Sequence, residues 1–468
     1  MKPLFQIKHL QASFAFLLTL FLLSQPTLSI LSHLFSHHRT LLLSLAWCFS
    51  IALFRFLSTR PRPVLLLDYS CFKPDFDRKC TYEICEYFVR RCNRFSTVSE
   101  NFMRGIYLKS GLSDETYAPP FIFQTDYEVK LESAIQEAEE GMFAAVDAVL
   151  AKTQLDPQKI DIVIVTCGMF TPSPSLSSRL VNRYNIRPDA KTYNLSGMGC
   201  SSGVMSIDLA AKLLSRSRKI GYAVVVVTES ISLNWYFGDN RSMLVTNCIF
   251  RVGCAASLIT NDPARRSSAK LELVRTLRTH HGADDASYRA AFQEEDADGN
   301  VGVALTKDLI RVAGEGLRVH IRSLAPRVLP LKELILYAYS VVSCALSRRD
   351  DKPIVPDFTA AFEHLCIHTG GKAVIEQVGR LMRLSEQVTE PARMCLHRFG
   401  NTSSSLVFYE LAYFEAKERV KKGDRMWMLA FGTGFKVCSL VWKSLGDSCN
   451  EPDNPWNDCI HRYPVKAW

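Results

Sequence analysis

Tyr193-Asn194-Leu195-Ser196-Gly197-Met198-Gly199-Cys200-Ser201-Ser202-Gly203-Val204 runs from a strand-like stretch through two glycines to one cysteine, and a helical pattern follows at once. Val204, Ile207, Ala211 and Leu214 recur at three- and four-residue spacing, which predicts a helix with one buried face. Cys200 then stands at or beside the helix N-terminus, where unpaired N–H groups and the helix dipole favour a thiolate. Gly197 and Gly199 let backbone and substrate approach the sulfur. A lone cysteine can equally be a structural core residue. The strand-turn-Cys-helix layout instead reads as the presentation of a nucleophile and directs attention to partners elsewhere in the chain.

Working outward, residues 160–166 and 223–228 are β-branched runs of the kind that form buried strands, with a short strand expected at 192–195 between them. Residues 64–67 read as an entering strand and 131–152 as an amphipathic surface helix. The second half follows the same logic: strand at 271–277, helix at 309–324, strand then helix over 362–378, helix at 406–416, and strand at 426–431 leading into Gly432-Thr433-Gly434-Phe435. This alternation predicts an α/β architecture with at least partly parallel strands, and no linker separates the halves.

Of the 468 residues 47% are hydrophobic and 22% charged, the composition of a folded protein with a large core. The net charge of +9 suits a phosphate-bearing partner or an anionic membrane face, and no nucleic-acid-binding module is present in the sequence. The 15 cysteines contain no Cys-x-x-Cys pair, and a reducing compartment is expected. Cys71, Cys80, Cys85 and Cys92 are spaced irregularly for a zinc site.

The first sixty residues differ from the rest. Residues 10–35 are apolar but interrupted at Ser24-Gln25-Pro26, and 41–57 form a second apolar run. Lys2 and Lys8 precede the pair and Arg60 and Arg62 follow it, so the positive-inside rule predicts a membrane-anchoring helical hairpin with both ends cytosolic.

Three segments of the second half could serve Cys200. His368 precedes Gly370-Gly371, Asn401 follows His397-Arg398-Phe399-Gly400, and His280 lies in a polar stretch. A cysteine in one half with histidine and asparagine in the other resembles the residue set of decarboxylative condensation. The chain resembles the plant 3-ketoacyl-CoA synthases of fatty-acid elongation, within the thiolase-fold condensing enzymes. The resemblance spans residues 61–445 and is carried by Asp68-Tyr-Ser-Cys-Phe-Lys-Pro74, Ser173-Pro-Ser-Leu-Ser177, Asn194 to Gly203, and Trp235-Tyr-Phe-Gly-Asp-Asn-Arg-Ser-Met-Leu244. It continues through Arg278-Thr-His280, Glu363-His-Leu-Cys-Ile-His-Thr-Gly-Gly371, His397-Arg-Phe-Gly-Asn-Thr-Ser-Ser-Ser405 and Phe431-Gly-Thr-Gly-Phe-Lys436.

The resemblance implies a thiolase-like, duplicated five-layer αβαβα fold. Residues 1–60 would be the anchor, 61–262 the half bearing the nucleophile, 263–446 the half bearing histidine and asparagine, and 447–468 a tail. It implies that Cys200 accepts the acyl group and that His368 and Asn401 form the decarboxylation pair, with His280, His364 and His397 as further histidines of the active-site region. Acyl-CoA and malonyl-CoA are the implied substrates, and no cofactor is required. A homodimer, partner reductase and dehydratase enzymes of an elongase, and an endoplasmic reticulum membrane location with the body facing the cytosol are also implied. Cys254 departs from the pattern, standing where a second glycine is expected after Gly253.

Overall fold

The computed structural model describes residues 43–53, 62–125, 129–217, 219–346, 355–368 and 370–466. Contacts divide the chain into two units, Met1–Pro61 and Arg62–Trp468. In the first unit residues 43–53 are helical and leave Leu45, Trp47 and Phe49 exposed. The remainder of the expected hairpin lies outside the described residues, and among those described no helix is long and apolar enough to cross a membrane.

The second unit begins with β1 (Leu65–Phe72), α1 (Tyr82–Arg91), α2 (Thr97–Lys109) and α3 (Leu131–Thr153). It continues with β2 (Ile160–Cys167), α4 (Leu176–Arg183), β3 (Lys191–Leu195), α5 (Ser202–Arg216), β4 (Tyr222–Thr228), α6 (Arg241–Ile249) and β5 (Cys254–Thr260). Next come β6 (Leu271–His280), α7 (Asp285–Arg289), β7 (Ala291–Glu295), β8 (Val301–Leu305), α8 (Leu309–Val328) and α9 (Leu331–Leu346). The chain closes with β9 (His364–Ile367), α10 (Lys372–Met382), α11 (Glu386–Phe399), α12 (Leu406–Ala416), β10 (Arg425–Gly432) and β11 (Lys436–Ser444).

Nine of these strands form one mixed sheet in the order β3-β2-β4-β5-β1-β6-β11-β10-β9. Strand β2 pairs parallel with β3 and β4, and β9 pairs parallel with β10. The two halves of the sheet meet where Leu65 and Leu66 of β1 pair with Glu272 and Leu271 of β6.

Strand periodicity sorts side chains into separate cores, because successive residues point to opposite faces. On β2, Ile162 and Ile164 enter a central core, while Val163 and Val165 enter an outer one under α3. On β10, Met426 and Met428 face the central core, while Trp427 and Leu429 face another outer core beneath α8 and α10. The central core holds α5 (Val204, Ile207, Leu214) and α12 (Phe408, Leu411, Ala412). Helix α5 touches β2 and β4 on one side and β10 and β11 on the other. The resulting order is helix, strand, helix, strand, helix.

Residues 447–466 are not a free tail. Trp456 and Cys459 are fully buried, and with Tyr463 they belong to the central core. Trp456 Nε1 donates to the Tyr409 carbonyl at 2.9 Å, which ties the segment to α12.

Candidate active site

A short turn presents Cys200 beside the helix N-terminus. Residues Gly199–Ser201 form a 3₁₀ turn, and α5 begins only at Ser202, so Cys200 sits just ahead of the α-helix. Desolvation pushes its thiol up to about 12, against the lowering effect of the Ser403 hydroxyl and its own backbone N–H, which favours the neutral thiol at rest and not the expected thiolate. Its Sγ lies 3.6 Å from Ser403 Oγ. Gly199 is required on two counts: its φ is +57°, and a Cβ there would lie 2.6 Å from Thr433 N. The nucleophile turn therefore rests directly on the turn between β10 and β11.

His368 follows β9, its N–H donating to Leu429 O at 2.8 Å. The ring is 2% exposed, and neither nitrogen has a hydrogen-bond partner among the described residues. Burial holds its pKa down at about 4, so the imidazole is neutral. A buried imidazole with both nitrogens unpaired is costly, and such an exception calls for a ligand.

Asn401 is held on three sides. Its N–H donates to Ile249 O at 3.0 Å, its carbonyl accepts from Arg251 N at 2.9 Å, and its Oδ1 accepts from Ser403 N at 2.9 Å. Because Oδ1 is occupied, the side-chain NH2 group turns toward Gly370 O, 3.5 Å away, and remains available as a donor.

Cys200, His368 and Asn401 line one cavity of about 350 Å³. The turn Gly432-Thr433-Gly434-Phe435 lies along the same wall, and an apolar arm is formed by Tyr288, Phe292, Val303 and Leu305. Glu229 and Ser403 also line the cavity, and the sequence reading missed both. Glu229, just beyond β4, accepts from Gly168 N at 3.0 Å, Met169 N at 2.9 Å and Ser403 Oγ at 3.1 Å, and burial raises its pKa. Ser403 has φ +57°, a left-handed conformation uncommon outside glycine, which aims its hydroxyl at both Glu229 and Cys200. An acidic residue at the carboxyl end of a central strand was the signal available for Glu229. No sequence pattern announces a left-handed serine.

The other three histidines do not line this cavity. His280 pairs with Lys436 across β6 and β11, and its Nδ1 accepts from Gly282 N at 3.0 Å. His364 Nε2 lies 2.8 Å from Asp424 Oδ2, packed beside Phe414. His397 Nδ1 bonds Tyr463 Oη at 2.9 Å and helps fasten the C-terminal segment. Cys254 is accommodated: it opens β5 at 1% exposure, and its Cβ lies 3.0 Å from where a Cβ on Gly141 would be, so α3 leaves it room. Gly253 is the position that admits no side chain, since a Cβ would fall 2.5 Å from Thr402 Cβ beside Asn401. The four early cysteines do not converge on one point, although Cys80 and Cys85 adjoin each other. Cys71 is in the central core and Cys92 in another cluster, and among the described residues no group of three ligands could hold a metal.

Comparison with known proteins identifies the family and the fold. Residues 56–346 match the family model described as FAE1/type III polyketide synthase-like protein, and 359–444 match the C-terminal part of 3-oxoacyl-[acyl-carrier-protein] synthase III. The chain is 46% identical to 3-ketoacyl-CoA synthase 11 of Arabidopsis thaliana, covering 93% of this chain and 86% of that one. It is 44% identical to 3-ketoacyl-CoA synthase 4 of the same plant, covering 93% and 85%. Among solved structures, PKS-I from the brown alga Ectocarpus siliculosus superposes with a TM-score of 0.65 at 16% identity, covering 82% of this chain and 99% of that one. A fungal type III polyketide synthase, ORAS, gives 0.62 at 16% identity, covering 81% and 99%. The fold is thus thiolase-like, and the chain belongs to the FAE1/type III polyketide synthase-like family of condensing enzymes, among the 3-ketoacyl-CoA synthases.

Proposed function

We propose that this protein is a very-long-chain 3-ketoacyl-CoA synthase that joins a long-chain acyl group to malonyl-CoA by decarboxylative condensation. The observation that carries the reading is one cavity in which Cys200, His368 and Asn401 face a common space continuous with an apolar arm. The resting thiol and neutral imidazole suit the first step: His368 takes the Cys200 proton as the sulfur attacks the acyl-CoA thioester, and CoA leaves with that proton. Ser403 Oγ, near Sγ, can donate to the thiolate as it forms.

Malonyl-CoA then enters and loses CO2. The electron pair moves onto the thioester oxygen, where a ring N–H of His368 and the NH2 group of Asn401 can both donate. The enolate carbon attacks the acyl-Cys200 carbonyl, the thiolate departs, and 3-ketoacyl-CoA is released. Donors for the intervening tetrahedral oxyanion would be the Cys200 N–H and an amide of the Gly432 to Phe435 turn. No metal or redox cofactor enters these steps.

The apolar arm suits the acyl chain. A membrane location, at the endoplasmic reticulum with the body in the cytosol, would bring the enzyme to both CoA esters and to its reductase and dehydratase partners. The apolar runs at 10–35 and 41–57 support this, as does α9, whose Leu331, Ile335, Leu336, Tyr339 and Leu346 are exposed. A homodimer is the expected assembly; a detergent-corrected mass showing only fully active monomer would remove it.

The deciding experiment incubates purified full-length protein with a long-chain acyl-CoA and malonyl-CoA labelled in its free carboxyl. Equal amounts of labelled CO2 and 3-ketoacyl-CoA are expected. Neither product forming would defeat the reading.

A further inference from the structure

Away from the catalytic cavity, Cys80 and Cys85 bring their sulfurs to 3.1 Å, closer than plain van der Waals contact. Cys80 immediately precedes Thr81, the N-cap of α1, and Cys85 lies in the first turn of that helix, its N–H donating to Thr81 O at 3.1 Å. Arg251 reaches the pair from the far side, with Nη2 3.8 Å from Cys85 Sγ.

Arg251 is 2% exposed, and its other partners are all neutral. Nε donates to Thr116 Oγ1 at 3.0 Å, while Nη1 donates to the carbonyls of Cys248 at 3.1 Å and Phe250 at 2.7 Å. Among the described residues no carboxylate lies within ion-pair distance of it. A guanidinium stays protonated, and a buried cation without an anion is strongly disfavoured. The Cys85 sulfur is the group in contact with it that can supply the negative charge. The helix N-terminus acts in the same direction.

We propose that Cys80 and Cys85 form a redox-active dithiol in which Cys85, as a thiolate paired with Arg251, attacks low-molecular-weight disulfides and Cys80 resolves the product. Cys85 S⁻ attacks one sulfur of glutathione disulfide, forming a mixed disulfide and releasing one glutathione thiolate. Cys80 then loses its proton and attacks Cys85 Sγ, which releases the second glutathione thiolate. Two cysteine thiols are oxidised to one disulfide while one glutathione disulfide is reduced to two thiols. Reaching S–S bonding distance requires the sulfurs to close by about 1 Å. Access is from a second cavity of about 60 Å³ between α1 and α2, lined by Cys85, Glu100, Tyr107 and Cys248.

The sequence supplies a direct readout, because trypsin cleaves after Lys79 and Arg90 and releases both cysteines in one peptide, 80–90. Native full-length protein in detergent is exposed to glutathione disulfide, quenched in acid, alkylated and digested. The expected peptide is two hydrogens lighter and carries no alkyl group, and dithiothreitol restores the doubly alkylated form. The rate should be half-maximal near pH 7, where Cys85 titrates because the Cys80 thiol and Arg251 stabilise its thiolate. Cys80→Ser should trap glutathione on Cys85. Cys85→Ser should slow modification of Cys80 at neutral pH about tenfold, since an ordinary thiol is largely protonated there. Circular dichroism matching the parent confirms that both variants fold. A native peptide that stays reduced while the urea-unfolded chain oxidises under the same reagent would overturn the proposal. Equal reactivity of Cys80 in the Cys85→Ser variant would overturn it too.

Discussion

At the scale of single residues, the proposed division of labour separates on mutation. Cys200→Ala removes the acyl acceptor but leaves His368 and Asn401 as donors, so it should form no acyl-enzyme and still release CO2 from malonyl-CoA. Asn401→Asp replaces an NH2 donor with a carboxylate facing the developing enolate oxygen. That variant should still acylate Cys200 but lose decarboxylation by about two to three orders of magnitude. Labelled CO2 and labelled acyl-enzyme, measured separately, decide the matter; decarboxylation kept by Asn401→Asp and lost by Cys200→Ala would reverse the roles. The glycine beside Asn401 offers a second test. Gly253→Ala forces a Cβ against Thr402 and should cost about 1–3 kcal/mol while disturbing decarboxylation. Cys254→Ala only empties a small space and should cost about 1 kcal/mol with activity retained. Chemical denaturation and the CO2 assay on both variants distinguish these outcomes. Cys200, His368 and Asn401 were legible in sequence because each lies in an ordered motif. Glu229 and Ser403 were not, because their roles come from hydrogen bonds among residues 167–169, 229 and 403.

Among the elements, the hairpin of β7 and β8 supplies much of the apolar arm of the cavity. Gln293 of β7 is opposite Val303 of β8, and both line the cavity with Phe292 and Leu305. The turn between the strands is closed by Asp296, whose Oδ1 accepts from Asp298 N at 2.9 Å and Asn300 N at 2.8 Å. Tyr236 Oη donates to Asp296 Oδ2 at 2.6 Å and fixes the hairpin against the segment before α6. Val303→Phe adds bulk to the apolar arm from a half-buried position and should shift products toward shorter acyl chains, with total turnover on short substrates preserved. Product profiles from a mixed acyl-CoA pool test this, and an unchanged profile would place the acyl chain elsewhere. The hairpin went unread although its Asp298-Gly299 turn was visible, since its short alternating strands resemble an exposed loop without a known partner surface. The long buried runs at β2, β4 and β10 were read within one or two residues, because β-branched and apolar runs of that length have few other solutions.

For the molecule as a whole, stability and orientation can both be measured. His320 of α8 is fully buried between the layers, with Nδ1 2.9 Å from Thr279 Oγ1 and Nε2 2.7 Å from Ser439 Oγ, which also accepts from Trp427 Nε1 at 2.8 Å. Both ring nitrogens meet neutral hydroxyls and not a carboxylate, and burial lowers the pKa from 6.5 to about 4. The unfolded chain therefore binds this proton first, and the contribution of His320 is full above pH 6.5 and declines toward pH 4. The unfolding free-energy difference between wild type and His320→Gln should shrink by about 1.4 kcal/mol per pH unit over that window. A difference independent of pH would show that the histidine is protonated when folded. Orientation can be read from the sequons at Asn194, Asn240 and Asn401. Asn401 is 1% exposed, whereas Asn240 is exposed at the N-cap of α6. With the body in the cytosol none is glycosylated, and endoglycosidase should leave gel mobility unchanged; a shift would reverse the topology. The sequence by itself determined the α/β class and the family, and it named Cys200, His368 and Asn401, which the structure brings to one cavity, because local periodicity and contiguous motifs carry that information. Only the tertiary structure decided that Cys200 rests as a thiol, that His280, His364 and His397 lie off the cavity, that the final segment seals the central core, and that Cys80 meets Cys85 under Arg251. Those outcomes depend on desolvation and on contacts between residues far apart in the chain, and neither quantity is a property of any local stretch.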